Sequence, residues 1–453
     1  MAMKTQINII IISTMLILFS ACSKDWLEEK QDIKLIVPTT IADLDLLMNS
    51  NMLAYDGRGA LEASSDDFEM TQEQYNSLWY DFERKLIIWN IDEFPKLGTL
   101  MHEEWEVAYS QIQTCNVVLE ALKKITRTES NGMIYDRIKG SALYHRSRQF
   151  LNLAMTFCKY YDPSTADKDL GIVLKLEADI NEPVKRSTLN NTYFRIVEDL
   201  KTAALLLPEN QISITHITKG GAYALLARTY LYMNDYQNAA ESVEQSLRYH
   251  SLLDDYNTID SSSSSPLLNK SKELHIRIEM TAPYTSTGYG SVIPSELYQL
   301  YKSDDLRKTL YFKIQNGKPI WRGASVSNNL TGTATDEVLL IGAECFARLN
   351  NKDKAMELLN TLLVKRFKTG TFIPIIATTN DEALDIVLVE RRKELLKRGL
   401  RFQDLKRFNQ EPRYAKTLYR VIGNDMYTLS PNDRRYIFPI PQYIINYNNI
   451  EQN

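Results

Sequence analysis

The residue types that ordinarily do chemistry are all present in this chain of 453 residues, but not at the spacing that chemistry needs. His102-Glu103-Glu104-Trp105-Glu106 has the histidine and glutamate of a zinc-hydrolase helix and lacks the second histidine one turn on. A catalytic zinc needs three protein ligands, so that stretch cannot hold one by itself. The five histidines are scattered, and no metal and no cofactor is expected. There is neither a Gly-x-Ser-x-Gly elbow to present a serine nucleophile nor a glycine-rich phosphate loop. Charge is densest in Glu390-Arg391-Arg392-Lys393-Glu394 and on to Arg407. Helical spacing there pairs Glu390 with Lys393 and Glu394 with Arg398, which predicts a structural network of ion pairs between the last helices.

Aromatic side chains flanked by polar ones are a different signal. A sugar ring has apolar C–H faces that lie flat on indole or phenol rings, and its hydroxyls need Asp, Asn, Gln or Arg nearby. Two groups have this character: Asp67, Tyr75, Trp79 and Tyr80, then Tyr284, Tyr289 and Trp321. Polar neighbours on both sides place Trp79 and Trp321 on loops. With 10% aromatic residues most of them fill the core, and Trp26, Trp89 and Trp105 are expected there.

The elements that must position these groups read mostly as helix. Apolar residues recur at helical spacing from Thr99 to Leu122 and from Lys139 to Tyr161, where Asp162-Pro163 ends the run. Ser187-Thr188 caps a helix that stops at Pro208. Two helical hairpins, at about 220–250 and 336–367, repeat one spacing. Ala227, Tyr230, Ala239 and Val243 are separated as Ala343, Phe346, Ala355 and Leu359 are. Small residues let antiparallel helices approach, and the aromatic fills the gap, as in tetratricopeptide repeats. Between the hairpins, about 255–335, the texture changes. Ser261 to Ser265 is a polar linker, Leu274 to Met280 alternates like a strand, and Ala282 to Ser291 is rich in Tyr, Thr and Gly. Asn316-Gly317 marks a tight hairpin turn between Tyr311 and Trp321. The expected fold is mostly α, a scaffold of helical hairpins with one loop-rich face and a few short strands.

At the N-terminus Lys4 precedes an almost wholly apolar run from Ile7 to Phe19, then Ser20-Ala21-Cys22. Such a run is signal-peptide length and too short to span a bilayer comfortably. A cysteine directly after it predicts a lipoprotein signal over residues 1–21 and lipidation of Cys22, with a body 22–453 tethered by acyl chains. A net charge of −4 argues against nucleic acid, which needs a basic footprint. Cys115, Cys158 and Cys345 cannot all pair with one another and lie in helical stretches, as buried cysteines do.

Several pieces together resemble the SusD/RagB family of Bacteroidetes outer-membrane lipoproteins. Trp26-Leu27-Glu28, Ser65-Asp66-Asp67, Ile88-Trp89-Asn90 and Trp105 with Tyr109 match its N-terminal half. Tyr161-Asp162-Pro163, Asp169-Leu170-Gly171-Ile172 and Arg186-Ser187-Thr188 match the segment before its central repeat, and Ser327-Asn328-Asn329 into Glu337 and Glu344 the entry to its last one. The run from Glu390 to Arg407 and the Phe438-Pro439-Ile440-Pro441-Gln442 tail are the most specific, with Ile444 in place of the usual acid after that tail. The resemblance implies an α-superhelical receptor on the cell surface that hands nutrients to a SusC-like TonB-dependent transporter. It implies an oligosaccharide ligand held by an aromatic arc from the two regions above; a peptide ligand, as in the RagB branch, and a hydrolase activity stay open. Acidic residues Asp25, Glu28 and Glu29 after Cys22 resemble the family's surface-export signal.

Overall fold

A computed structural model describes residues 38–92, 103–263, 266–267, 271–280, 291–322 and 329–453. The signal 1–21, Cys22, Trp26, Tyr284 and Tyr289 lie outside the described residues.

The scaffold is a run of helices in which each packs on the next. They are α1 Ala108–Lys123, α2 Gly132–Phe157, α3 Leu189–Leu206, α4 Lys219–Tyr232, α5 Tyr236–Tyr249, α6 Thr335–Arg348, α7 Lys352–Leu363 and α8 Asn380–Glu394. This nearest-neighbour stacking is how hairpin repeats bury a continuous core. α5 and α6 pack together although the loop-rich insert separates them in sequence. The ends follow local chemistry. Thr188 accepts the Asn191 N–H and opens α3, while Thr218 does the same for α4 through Gly221. α2 begins at Gly132, earlier than the apolar run suggests, and ends at Phe157, four residues before Tyr161-Asp162-Pro163.

The two repeats share their turn atom for atom. Asn234 and Asn350 take the left-handed conformation (φ 58° and 61°), and Asp235 and Asn351 then cap the second helix of each pair. The Asp235 N–H reaches back to the Tyr230 carbonyl (3.0 Å), as that of Asn351 does to Phe346 (2.8 Å). These are Schellman closures, which satisfy the last carbonyls of the first helix. Ala227, Ala239, Ala343 and Ala355 are completely buried between the arms.

The insert carries short strands. Phe312–Gln315 (β5) and Lys318–Trp321 (β6) form an antiparallel hairpin about Asn316-Gly317, both with positive φ, the geometry of a two-residue primed turn. Of the strand expected over Leu274–Met280 only the ends pair: Leu274 bridges to Ala334, the chain bends at His275 and Ile276, and Glu279–Met280 (β4) pairs in parallel with Tyr55–Asp56 (β1), fastening the insert to the N-terminal half. Leu170–Val173 (β2) pairs with Arg186–Thr188 (β3), and near the C-terminus Leu418–Ile422 (β7) pairs with Asp425–Leu429 (β8). Among the described residues no helix is long and apolar enough to cross a membrane. Cys115, Cys158 and Cys345 are buried and unpaired.

Candidate functional site

Trp79 is presented by a short, firmly built segment. Thr71 and Gln74 form a reciprocal capping box at the start of the helix Gln72–Ser77. Leu78 turns inward against Phe68 and Ile87, and Trp79 turns outward with 87% of its surface exposed. Arg84 donates to the Leu78 carbonyl and Tyr75 Oη to the Arg84 carbonyl (3.4 Å), which ties the loop to the helix Asp81–Ile87. Tyr75 and Tyr80 are half-buried, Tyr80 against the main core. Asp67 is buried and accepts from Arg392 (3.0 Å). Its neighbour Asp66 takes Arg401 (2.7 Å), Lys416 (3.0 Å) and Arg392 (3.2 Å). Burial alone would raise the Asp66 carboxyl; the three cations outweigh it and hold it well below the usual range. Beneath lies Arg420, 3.9 Å over the Phe68 ring and 5.0 Å over Trp89, pushed down to about 9 by burial.

The two sequence groups meet through one extended segment. The Glu69 N–H donates to the Val292 carbonyl (2.9 Å), and Trp321 N–H donates to Ser291 (2.9 Å). The segment Ser291–Ile293 therefore lies between the Asp67 group and β6, with bridges Glu69 to Val292 and Val292 to Ile320. The stretch holding Tyr284 and Tyr289 leads directly into it.

Trp321 differs from the loop expectation. It ends β6, is only 3% exposed, and sits edge-on to Tyr311 (5.4 Å between ring centroids). Its indole Nε1 donates to Asn329 (3.1 Å). The polar residues around it, Lys318 and Arg322, stand before and after a run of three buried residues, Pro319, Ile320 and Trp321, that fills the strand. Trp89 and Trp105 are buried in the main core as expected. The zinc-like run has a structural role as well: Glu104 is buried and its Oε1 accepts the Ala60 N–H at the start of the helix Gly59–Ala63 (2.8 Å). Among the described residues no three His, Cys, Asp or Glu side chains converge as metal ligands.

Trp321 forms part of the wall of a cleft of about 680 Å³, with Tyr256, Tyr311, Glu273, Asp336 and Arg398. The ion pairs behind this wall are not those that helical spacing suggests. Glu394 binds Arg366 (2.6 Å) and Arg307 (2.9 Å), and Arg398 binds Asp336 (3.0 Å). The reason is local: α8 ends at Glu394 and Lys397 turns left-handed (φ 63°), so Arg398 is no longer one helical turn above Glu394. Glu390 does pair with Lys393 (2.7 Å). Glu273, Arg366 and Tyr256 were not legible as site residues. Arg366 lies 93 residues beyond Glu273 and stacks over Tyr256 at 4.0 Å, and no local pattern marks either contact.

A scaffold of stacked helical hairpins with an inserted, cleft-bearing face is a class of architecture that comparison narrows further. Residues 25–231 match a family model described as "Starch-binding associating with outer membrane", and 335–453 match the SusD family model. The chain belongs to the SusD family. It is 23% identical to SusD-like protein P2 of Formosa agariphila, over 74% of this chain and 76% of that one. Solved structures share the fold. A SusD superfamily protein of Bacteroides thetaiotaomicron superposes with TM-score 0.71 at 21% identity, covering 91% of this chain and 99% of its own. A SusD-like carbohydrate binding protein of Bacteroides vulgatus gives 0.68 at 19%, covering 90% and 97%. Surface glycan-binding protein A of Bacteroides uniformis gives 0.66 at 17%, covering 91% and 98%.

Proposed function

We propose that this protein is an oligosaccharide-binding receptor, anchored to the outer membrane through Cys22 and facing outward, that delivers its ligand to a SusC-like TonB-dependent transporter. The observation that carries the binding reading is the presentation of Trp79. A tryptophan 87% exposed on a capped, cross-linked loop is an unusual place to keep apolar surface, and its segment continues through Glu69 to the strand beside Trp321. The SusD-like relatives named for carbohydrate and glycan binding support the ligand class. Binding rather than hydrolysis is the reading that these relatives, named for binding, support.

Titration calorimetry against a panel of linear oligosaccharides tests this. Wild type should bind at least one of them, and Trp79→Ala should weaken it. Binding of a peptide digest with no oligosaccharide binding would move the RagB-type reading ahead. Release of reducing sugar by the protein alone would make it a hydrolase. Affinity purification from native membranes should recover the transporter in about equal amount, and Cys22→Ala should release the protein from the membrane or leave it unprocessed.

A further inference from the structure

The charge balance of the buried network beside the cleft is uneven. Among the described residues, Glu273, Glu394, Asp305 and Glu390 form one set of ion pairs with Arg366, Arg307 and Lys393. Four carboxylates thus share three cations. The adjoining set, Asp336 and Glu337 with Arg398 and Arg228, is balanced and has no cation to lend. Buried charges are ordinarily matched, because an unmatched one carries the full desolvation penalty. Of the four carboxylates only Glu273 and Glu394 reach the cleft wall, and Glu394 has an arginine on each oxygen. Glu273 has both of its hydrogen bonds, from Arg366 (2.7 Å) and the Asp254 N–H (2.8 Å), on Oε1. Its Oε2 takes none. Asp254 lines the same cleft and has no cation within ion-pair distance among the described residues. The missing positive charge is therefore missing where a ligand can reach.

We infer that the cleft takes a ligand bearing a primary ammonium, which sits against Glu273 Oε2 with Asp254 beside it, and that this ligand is an oligosaccharide containing unacetylated amino sugar. This rests on the oligosaccharide reading above and specifies it. The cleft is of a size that holds small ligands, and Trp321, Tyr256 and Tyr311 supply ring surface next to the carboxylates. Arg398 and Lys397 of the cleft wall are engaged by Asp336 (3.0 Å) and Glu62 (3.6 Å), and the exposed Lys272 is the lining cation without an ion pair among the described residues. With no ligand present, burial pushes the Glu273 carboxyl up to about 8 against the pull of Arg366, so a proton stands in for the missing cation.

The test is a titration of the full mature protein at pH 6 with a glucosamine tetramer and with its N-acetylated counterpart, in which each ammonium is replaced by a neutral acetamide, with Glu273→Gln separating the charge from the added acetyl group. The free-amine tetramer should bind about ten-fold or more tighter, the worth of one hydrogen bond to a charged group. Glu273→Gln keeps an oxygen for Arg366 and the Asp254 N–H. It should erase that preference while melting no earlier than wild type, and Asp254→Asn should reduce it. Equal binding of the two tetramers, or a preference that survives in Glu273→Gln, overturns the ammonium assignment and leaves the oligosaccharide reading standing. If neither tetramer binds and neutral glycans of the panel do, the ammonium site is equally refuted; if no glycan binds at all, both readings fall. A lysine-rich peptide that binds in a Glu273-dependent way while the tetramers do not would transfer the site to peptide and end the amino-sugar proposal.

Discussion

At the scale of single residues, the tryptophans separate into two kinds by what surrounds them. Trp79 is held by its neighbours and gives almost nothing back to the core. A sugar ring covering roughly 40–80 Å² of its face gains about 1–2 kcal/mol at about 25 cal/mol per Å². Trp79→Ala should therefore weaken a glycan about five- to thirty-fold, with an unchanged melting temperature. Trp321 is the opposite case, buried in its own aromatic cluster with Tyr301, Tyr311 and Phe312. Removing a buried tryptophan costs about 3–5 kcal/mol, so Trp321→Ala should melt well below wild type, together with Trp89→Ala. Trp89 also donates from Nε1 to the Ser64 carbonyl (2.9 Å), and its loss leaves that acceptor buried. Calorimetry beside thermal melts on these three variants separates the roles. An early-melting Trp79→Ala would return that side chain to the core.

At the scale of elements, the two hairpins were legible because their determinants are local. The alanines, the aromatic and the turn asparagines recur at fixed separations, and each acts within one hairpin. The β5–β6 turn was legible for the same reason, since Asn-Gly carries its positive φ by itself. The ion pairs of α8 and the placement of Trp321 were not, because they depend on chain brought in from elsewhere. Arg366 and Arg307 are set by the packing of the insert on the second hairpin, and Trp321 by the partner strands of β6. The same packing sets close approaches that a substitution can probe. A Cβ on Gly342 of α6 would lie 2.8 Å from Leu358 of α7 and 2.9 Å from Val243 of α5, so the two repeats meet there with no room for a side chain. Gly342→Val should overpack this contact, and Ala355→Leu the buried seam within the second hairpin, each at a cost of about 1–3 kcal/mol read from denaturant unfolding. Wild-type stability in both would mean that the helices are not packed through these residues.

At the scale of the whole molecule, buried carboxylates of opposite behaviour set the response to pH. Glu337 and Glu344 are held down to about 2: burial would raise them, but Arg228 and Arg407 outweigh it. A carboxyl whose folded value is depressed contributes stability that is present above its unfolded value, here about 4.5, and lost as pH falls from there toward 2. Each can contribute up to about 3 kcal/mol, so an acid limb of unfolding should be steep below pH 4.5. Glu273 has the reverse sign. Burial raises it to about 8, so the folded state holds a proton that the unfolded chain has released between pH 4.5 and 8, and stability falls as pH rises through that window. Glu106, raised to about 7 by burial, adds to the same limb. Burial holds the imidazoles of His145 and His275 neutral, so both lose stability as pH falls below about 6.5 and oppose the Glu273 and Glu106 limb there; the net decline should show as pH rises from about 6.5 to 8. Glu273→Gln carries no proton to lose; its stability relative to wild type should rise with pH between about 5 and 8, and the acid limb should be untouched. Chemical denaturation at half-unit pH steps reads both limbs. A Glu273→Gln profile parallel to wild type across pH 5–8 would mean that Glu273 is ionised in the folded protein, and the unmatched negative charge would then be compensated by something other than a proton.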